Sequence, residues 1–231
     1  MQRVLLEPAF VLHSIAYRNT SLIVDLFTRQ HGRVAVVARS ARGPQSRFQG
    51  RLQSFSPLLI SYSGRHELKS LSHVELYAKP YNLVGRRIMC GFYLNELLIR
   101  LLQKEEPSAA LFGLYQDTVM QLEQTDQVEV LLRVFEKRLL SQLGFGLALQ
   151  YEAQTREPIQ DSLYYRYEIE LGFVRVNDRM SAPAVFQGSS LLALENESLL
   201  TDTARQDVKR LMRQVIGHYL AGRVLKSREL F

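Results

Sequence analysis

Cysteine is nearly absent from this chain of 231 residues. Its one cysteine, Cys90, lies in the apolar run IMCGFYLNELL, so no internal disulfide can form and we predict a buried structural thiol. No run of about eighteen apolar residues is present, and the N-terminal residues lack the pattern of an export signal. We therefore expect a folded protein of the cytoplasm with no membrane contact.

Acidic residues are missing from one long segment. No Asp or Glu occurs between Asp25 and Glu67, whereas seven arginines do. Residues 1–80 hold eleven basic and four acidic residues, a net charge of +7, and residues 81–231 hold eighteen and nineteen, a net charge of −1. Because the arginines alternate with strand-like apolar residues, this local excess indicates a folded module that binds a polyanion.

The spacing of apolar residues changes near residue 80. Before it, strands are predicted in FVLHSIAY, SLIVDLF, RVAVVAR, FSPLLISYS and LKSLSHVELY. After it, helical spacing recurs in IMCGFYLNELLIRLL, AALFGLYQDTVMQL, VEVLLRVFEKRLLSQL and TARQDVKRLMRQVIGHYL, the last opening with Thr203 and Gln206 in capping-box spacing. The segment LYYRYEIELGFVRVN predicts a hairpin around Leu171 and Gly172.

These patterns predict an α+β fold in two domains. Residues 1–80 would form a five-stranded OB-fold barrel, and residues 81–231 a mainly helical domain with a hairpin insertion around residues 150–180. An OB-fold binds oligonucleotides on its second and third strands and two flanking loops. The residues predicted there to bind DNA are Arg18, Arg29, Arg33, Arg39, Arg42, Arg47, Phe48, Arg51 and Arg65.

The arginines would contact phosphates, and an aromatic ring beside them would stack on a base. Alternation along the third strand directs Arg33 and Arg39 to the same side. Phe48 is the first candidate for stacking, followed by Phe27 and Tyr17, although packing of each ring in the core is an equal alternative.

The segment HGRVAVVARSARGPQSRFQGRLQSFSPLLISYSGRHELKSLSHVE resembles the RecO family of bacterial recombination mediators. The resemblance continues through GFYLNELLIRLL, LFGLYQDTV, LLRVFEKRLLSQLGF and the terminal LKSRELF. It implies a protein that binds single- and double-stranded DNA and anneals complementary strands. It also implies that the protein, with its partner RecR, helps RecA replace the single-stranded-DNA-binding protein at gaps, where it would be associated with the nucleoid.

One departure from the family concerns metal. Many members carry a four-cysteine zinc module after the LGF helix, but residues 148–174 contain no Cys or His. Four tetrahedral ligands cannot come from this stretch, so we predict no zinc and no cofactor. Packing around Tyr164, Tyr165 and Tyr167 would replace the metal.

The resemblance also implies that the helical domain binds the acidic, apolar C-terminal tail of the single-stranded-DNA-binding protein. Such a site needs an apolar hollow with cations at its rim. The candidates are Leu131, Arg133, Phe135 and Lys137, the alternative being that Arg133 simply pairs with Glu129. A secondary basic stripe is predicted on the last helix, at Arg205, Lys209 and Arg213.

Two other function classes remain open on the residues alone. A nuclease would need clustered carboxylates, but Glu7, Asp25, Glu67 and Glu75 are dispersed, and no phosphate-cradling loop, G-x-S-x-G or H-E-x-x-H motif occurs. We therefore predict that the protein is not an enzyme. An OB-fold protein that binds RNA or the ribosome shares every charge argument and is set aside only by the resemblance.

Overall fold

The computed structural model describes residues 3–177 and 184–227, and it divides the chain into two compact units. The first unit comprises Met1–Thr125 with Leu225–Phe231, and the second comprises Asp126–Val224. The secondary structure changes near residue 80 as predicted, but two helices beyond that point belong to the first unit. The division at residue 80 into a DNA-binding and a partner-binding domain stays a prediction.

The first unit contains the predicted five-stranded barrel. Its strands are β1 (Arg3–Tyr17), β2 (Ser21–Thr28), β3 (Gly32–Ala38), β4 (Leu58–Ser63) and β5 (Leu68–Leu76). The barrel closes in the order β1-β2-β3-β5-β4, with β3 and β5 parallel and the other pairs antiparallel. This is the connectivity of an OB-fold, so the predicted fold class is confirmed.

Strand β1 pairs with both β2 and β4, and each pairing contains one irregularity. The pairing register shifts between Val4 and Glu7 against β4, and between Val11 and His13 against β2. Bulges of this kind bend and twist a strand, which a strand of 15 residues needs in order to curve around a small barrel. The interior is then filled by alternating apolar residues such as Val24, Val34 and Val36, each at most 1% exposed.

Two helices cover part of the outside of the barrel. Helix α1 spans Arg86–Leu101 and α2 spans Ala109–Gln124. Ring centroids of Phe10 and Phe27 both lie 5.5 Å from that of Phe112 in α2, and both rings also meet Tyr115 edge-on. The helices are therefore part of the barrel's packing, and Cys90 of α1 is buried as predicted.

The α1–α2 connection lies against the end of the barrel where β2 turns into β3. The Glu105 backbone N–H donates to the Arg33 carbonyl at 2.9 Å, and Lys69 pairs with the Glu105 carboxylate. Gly32 has a φ of 63°, and a Cβ there would lie 2.1 Å from the Glu106 carbonyl oxygen. Only glycine fits this approach.

The second unit combines three helices with a small sheet. Helix α3 spans Val128–Gln142. Strands β6 (Tyr164–Glu168) and β7 (Gly172–Val176) form the predicted hairpin. They are followed by β8 (Val185–Gln187), α4 (Gly188–Glu195) and α5 (Asp202–Tyr219). The sheet order is β7-β6-β8. Neither β8 nor α4 was predicted. The cap of α5 is Thr201, whose hydroxyl accepts from the Ala204 N–H at 3.2 Å, so the predicted opening at Thr203 was wrong.

Within the described part of the chain, no helix is long and apolar enough to cross a membrane.

The tyrosines of the β6–β7 hairpin are largely buried. Tyr165 and Tyr167 are 1% and 8% exposed, and Tyr164 is half-buried. The Tyr165 hydroxyl accepts from the Gln160 N–H at 2.9 Å, which ties the hairpin to the segment before it.

Candidate nucleic-acid interface

The predicted DNA-binding arginines lie at two different ends of the barrel. Because β2 and β3 are antiparallel, Leu22 pairs with Ala38 at one end and Thr28 pairs with Gly32 at the other. The first end carries the β1–β2 turn with Arg18 and the residues after β3, including Arg39 and Arg42. The second end carries the β2–β3 and β4–β5 turns, with Arg29, Arg33 and Arg65. Arg39 lies six positions after Arg33 along the chain, which is about 20 Å along an extended strand.

At the first end, Arg42 holds the β1–β2 turn. Its Nη2 donates to the Arg18 and Asn19 carbonyls at 2.7 and 2.8 Å, and its Nε donates to the Ser21 carbonyl at 3.3 Å. Its backbone N–H donates to the Thr20 carbonyl at 2.8 Å. The loop after β3 and the β1–β2 turn are therefore joined by one residue.

Tyr17, Arg18, Arg39 and Arg42 form what we term the turn-end cluster. All three arginines are exposed, Tyr17 is half-buried, and the Arg18 guanidinium lies 5.2 Å from the Tyr17 ring centroid. Among residues 3–177 and 184–227, these arginines have no carboxylate partner. Positive charge is thus left unneutralised around an accessible aromatic ring.

Two of the arginines predicted to contact phosphates donate side-chain hydrogen bonds to backbone carbonyls of the first unit. The Arg33 Nη1 donates to the Ile99 carbonyl at the C-terminal end of α1, and the Arg33 Nε is buried. The Arg51 Nη1 donates to the Val74 carbonyl at 3.1 Å, although Arg51 is itself exposed. The interpretation of Arg33 as a free phosphate contact is corrected, because its side chain packs against α1.

Three other predicted arginines are exposed outside the turn-end cluster. Arg29 and Arg65 lie at the second end of the barrel, and Arg47 lies in the loop after β3, with its guanidinium 4.8 Å from the Phe48 ring centroid. None of them pairs with a carboxylate in the described ranges. They extend the positive field beyond the turn-end cluster.

The first stacking candidates are core residues. Phe48 is 3% exposed and belongs to the cluster that fills the barrel, and Phe27 is 1% exposed against Phe112 and Tyr115. Neither ring can receive a base without unfolding its surroundings, so both predictions are corrected. Tyr17 is the one aromatic candidate that remains accessible.

An apolar row beside the turn-end cluster was not predicted. Cross-strand pairing aligns Ile15 with Ile23 and Ile23 with Val37 on the outside of the barrel. Ile15 is 49% exposed and the other two are half-buried. Alternation along RVAVVAR directs Val37 to the same side as Arg33 and Arg39, but it does not show that this side stays uncovered at Val37 and Ile23, whereas Phe27, on the same side of β2, is buried against α2.

In the second unit, the cations predicted to bind a protein tail already have partners. Arg133 Nη1 lies 2.8 Å from Glu136 Oε2, and Lys137 Nζ donates to the Glu195 carbonyl at 2.7 Å. Phe135 is fully buried and Leu131 is half-buried. The expected open apolar hollow with unpaired cations is therefore corrected at these residues.

Glu197 contributes to this neutralisation and gives a pH-dependent prediction. The hydrogen bonds from Arg138, one of 2.9 Å from Nε, outweigh partial burial and hold the pKa of the Glu197 carboxyl below its ordinary value. A lowered folded-state pKa stabilises the fold above the ordinary pKa, and this stabilisation is lost as the pH falls through the folded-state pKa. We expect Glu197→Gln to lower the free energy of unfolding by up to about 1 kcal/mol at pH 7. Urea unfolding should show this difference shrinking below about pH 4; a difference that persists in acid would contradict the ionic origin.

The secondary basic stripe on α5 is only partly unpaired. Arg205 Nε donates to the Leu199 carbonyl at 3.1 Å, and its Nη1 lies 3.2 Å from Asp202 Oδ1. Lys209 and Arg213 are exposed. A DNA contact on this helix stays a prediction that rests on these two residues.

Metal ligands do not converge in the described residues. No group of three or more His, Cys, Asp or Glu side chains there could hold a metal ion. Glu152, which is 5% exposed, instead accepts from the Arg175 N–H at 3.1 Å and from the Thr155 hydroxyl at 2.9 Å, beside the hairpin. The absence of zinc stays a prediction.

Comparison with known proteins covers nearly the whole chain. The family model "Recombination protein O N terminal" matches residues 1–79, and "Recombination protein O C terminal" matches residues 84–229. The DNA repair protein RecO of Coxiella burnetii (strain RSA 493 / Nine Mile phase I) is 47% identical over 229 residues, covering 99% of this chain and 98% of that protein. DNA repair protein RecO of Methylococcus capsulatus is 45% identical over 229 residues, with 99% and 93% covered, and that of Nitrosospira multiformis is 40% identical over 231 residues, with 99% and 95% covered. The predicted resemblance is confirmed, and the chain belongs to the RecO family of DNA repair and recombination proteins.

Proposed function

We propose that this chain binds single- and double-stranded DNA through the turn-end cluster and acts as a recombination mediator. It would anneal complementary strands and, with RecR, help load RecA onto DNA covered by the single-stranded-DNA-binding protein. The observation that carries the proposal is the set of exposed, unneutralised arginines on the barrel of a RecO-family chain.

Binding through the backbone suits this role. Arginines that contact phosphates give affinity without base selectivity, and they leave the base edges open for pairing with a second strand. Stacking on Tyr17, half-buried beneath Arg18, would add about 1–3 kcal/mol per base without sequence preference. Annealing requires such sequence-indifferent contacts.

Removing two exposed arginines should weaken single-strand binding in a salt-dependent way. We expect the double variant Arg18→Ala/Arg39→Ala, which removes two arginines of the turn-end cluster, to flatten the slope of log K against log salt by about 1.4, because each single-strand phosphate contact contributes about 0.7. Fluorescence anisotropy with labelled oligothymidine at several salt concentrations measures the slope. Arg156→Ala, at an exposed position of the second unit, is the matched control and should leave it unchanged. An unaltered slope in the double variant would place the DNA contacts elsewhere.

A second candidate function is binding of structured RNA or the ribosome, since phosphates of either nucleic acid suit the same arginines. Competition between oligothymidine and a folded RNA separates the two functions, and we expect the DNA to remain bound.

A third candidate function is enzymatic cleavage of nucleic acid. Glu67 pairs with Lys104 and Glu7 accepts from the Gln30 N–H, so these carboxylates are engaged in the fold. Incubation of DNA with the protein and Mg²⁺ should leave the DNA intact.

A protein tail that binds at the predicted residues of the second unit must compete with contacts inside the fold. Since Arg133 and Lys137 are engaged, a tail of the single-stranded-DNA-binding protein would have to displace Glu136 or the Glu195 carbonyl to use them. Calorimetry with a tail peptide and the full chain, repeated with Lys137→Ala, tests whether this residue is used.

A further inference from the structure

We propose that Arg42 is a positioning residue, which acts on DNA by holding the β1–β2 turn in its binding conformation rather than by contacting a phosphate. The inference rests on the proposed DNA-binding function and assigns a role within the turn-end cluster. It differs from the role that the sequence suggested, in which Arg42 was one phosphate contact among several.

The hydrogen bonds of Arg42 are directed at the turn. The carbonyls of four consecutive residues, 18 to 21, accept from this one residue, three of them from the guanidinium and one from the backbone N–H. Four consecutive carbonyls that accept from one residue fix the peptide orientations of the whole turn. Both side chains are exposed, but the Arg42 guanidinium is engaged by the turn and the Arg18 guanidinium lies over the Tyr17 ring.

The turn needs this support because its backbone is strained. Arg18 has a φ of 49°, in the left-handed region that residues other than glycine occupy at an energetic cost. Charge-assisted hydrogen bonds from Arg42 to the carbonyls on either side of this conformation offset that cost. Without them, the turn would relax toward conformations that direct Arg18 away from Tyr17.

The consequence for binding is preorganisation. Arg18 above the Tyr17 ring and Arg39 after β3 come from segments that are separate in the sequence, and Arg42 is the residue that ties the two segments together. Holding cations in place before the ligand arrives reduces the ordering cost of binding. Arg42 would thereby raise DNA affinity through its neighbours.

Lysine substitution separates positioning from direct contact. A lysine keeps the charge and can still serve a phosphate, but its single ammonium cannot reproduce a planar fork on three carbonyls. We expect Arg42→Lys to weaken binding of labelled oligothymidine about as much as Arg42→Ala does, by about fivefold or more, whereas the matched control Arg156→Lys, at an exposed position of the second unit, stays within about twofold of the native protein. An Arg42→Lys variant that binds like the native protein would overturn the proposal.

A double-mutant cycle adds a second criterion. If Arg42 acts through the turn, Arg18→Ala/Arg42→Ala should bind little more weakly than the worse single variant, because both changes remove the same contact. Additive losses would mean that Arg42 has its own phosphate, and the proposal would fail.

Limited trypsin digestion without DNA keeps the test independent of the proposed function. We expect cleavage after Arg18 to be at least about fivefold faster in Arg42→Lys than in the native chain, because the turn has lost its hydrogen bonds. Cleavage after Arg156 serves as the internal reference. If the native chain binds no DNA at low salt, the proposed function fails and the digestion still decides whether Arg42 holds the turn; an unchanged cleavage rate after Arg18 would show that it does not.

Discussion

A fragment that ends at residue 80 should not fold cooperatively, even though the secondary structure changes there. Phe10 and Phe27 are 0% and 1% exposed in the chain, and the rings that cover them belong to α2. Burial of one phenylalanine contributes about 1.5–3 kcal/mol, so uncovering both costs about 3–6 kcal/mol. A whole domain is stable by only about 5–15 kcal/mol. Urea unfolding of residues 1–80, followed by circular dichroism, should therefore lack a sigmoidal transition.

Residues 1–125 are the matched control. This fragment keeps α1 and α2, and with them Phe112, Tyr115 and Asn95, so it should unfold in a single transition. A cooperative transition in the shorter fragment, close to that of the longer one, would show that the helices are dispensable for the barrel. DNA binding by the barrel alone is for this reason better measured on residues 1–125.

Most strands and helices were predictable because each carries its own period. The alternation in SLIVDLF and RVAVVA became the antiparallel pair β2–β3, and the helical spacing in VEVLLRVFEKRLL became α3. Strand β8 and helix α4 are only three and eight residues long, too short for either period to be distinguished. They depend instead on tertiary contacts: Asp207 of α5 accepts from the Gln187 N–H and the Ser190 hydroxyl, both at 3.1 Å.

The sequence predicts the positive charge of the candidate site, but it does not predict which arginines are free to bind a ligand. The segment between Asp25 and Glu67 holds seven arginines and no acidic residue, so its net charge is positive. Whether each arginine side chain is free to contact a phosphate depends on groups far away in the sequence. Arg33 donates to a carbonyl 66 residues away, and Arg51 to one 23 residues away. The same holds for the aromatic residues, since Phe48 and Tyr17 have similar basic neighbours and differ only in which of them the barrel interior takes up.

Substituting Asn95 should give the largest loss of stability of any single change considered, because one side chain satisfies two buried groups. Its Nδ2 donates to the Leu12 carbonyl at 3.0 Å, at the irregular point of β1, and its Oδ1 accepts from the Tyr115 hydroxyl at 2.6 Å. Burial raises the pKa of Tyr115 well above its ordinary value, so the hydroxyl remains a donor. Asn95→Leu fills similar space but leaves both groups without a partner, at about 1–3 kcal/mol each. We expect a loss of about 2–6 kcal/mol in urea unfolding.

Tyr115→Phe identifies the source of that loss. It leaves only the Asn95 amide oxygen unsatisfied, so it should cost about 1–3 kcal/mol. The double variant Asn95→Leu/Tyr115→Phe no longer contains the unsatisfied Tyr115 hydroxyl. Its loss of unfolding free energy should therefore be smaller than the sum of the losses in the two single variants. Simple additivity, or an Asn95→Leu variant within about 0.5 kcal/mol of the native protein, would mean that solvent or a relaxed backbone satisfies these groups. In that case Asn95 would contribute little to holding α1 on the barrel.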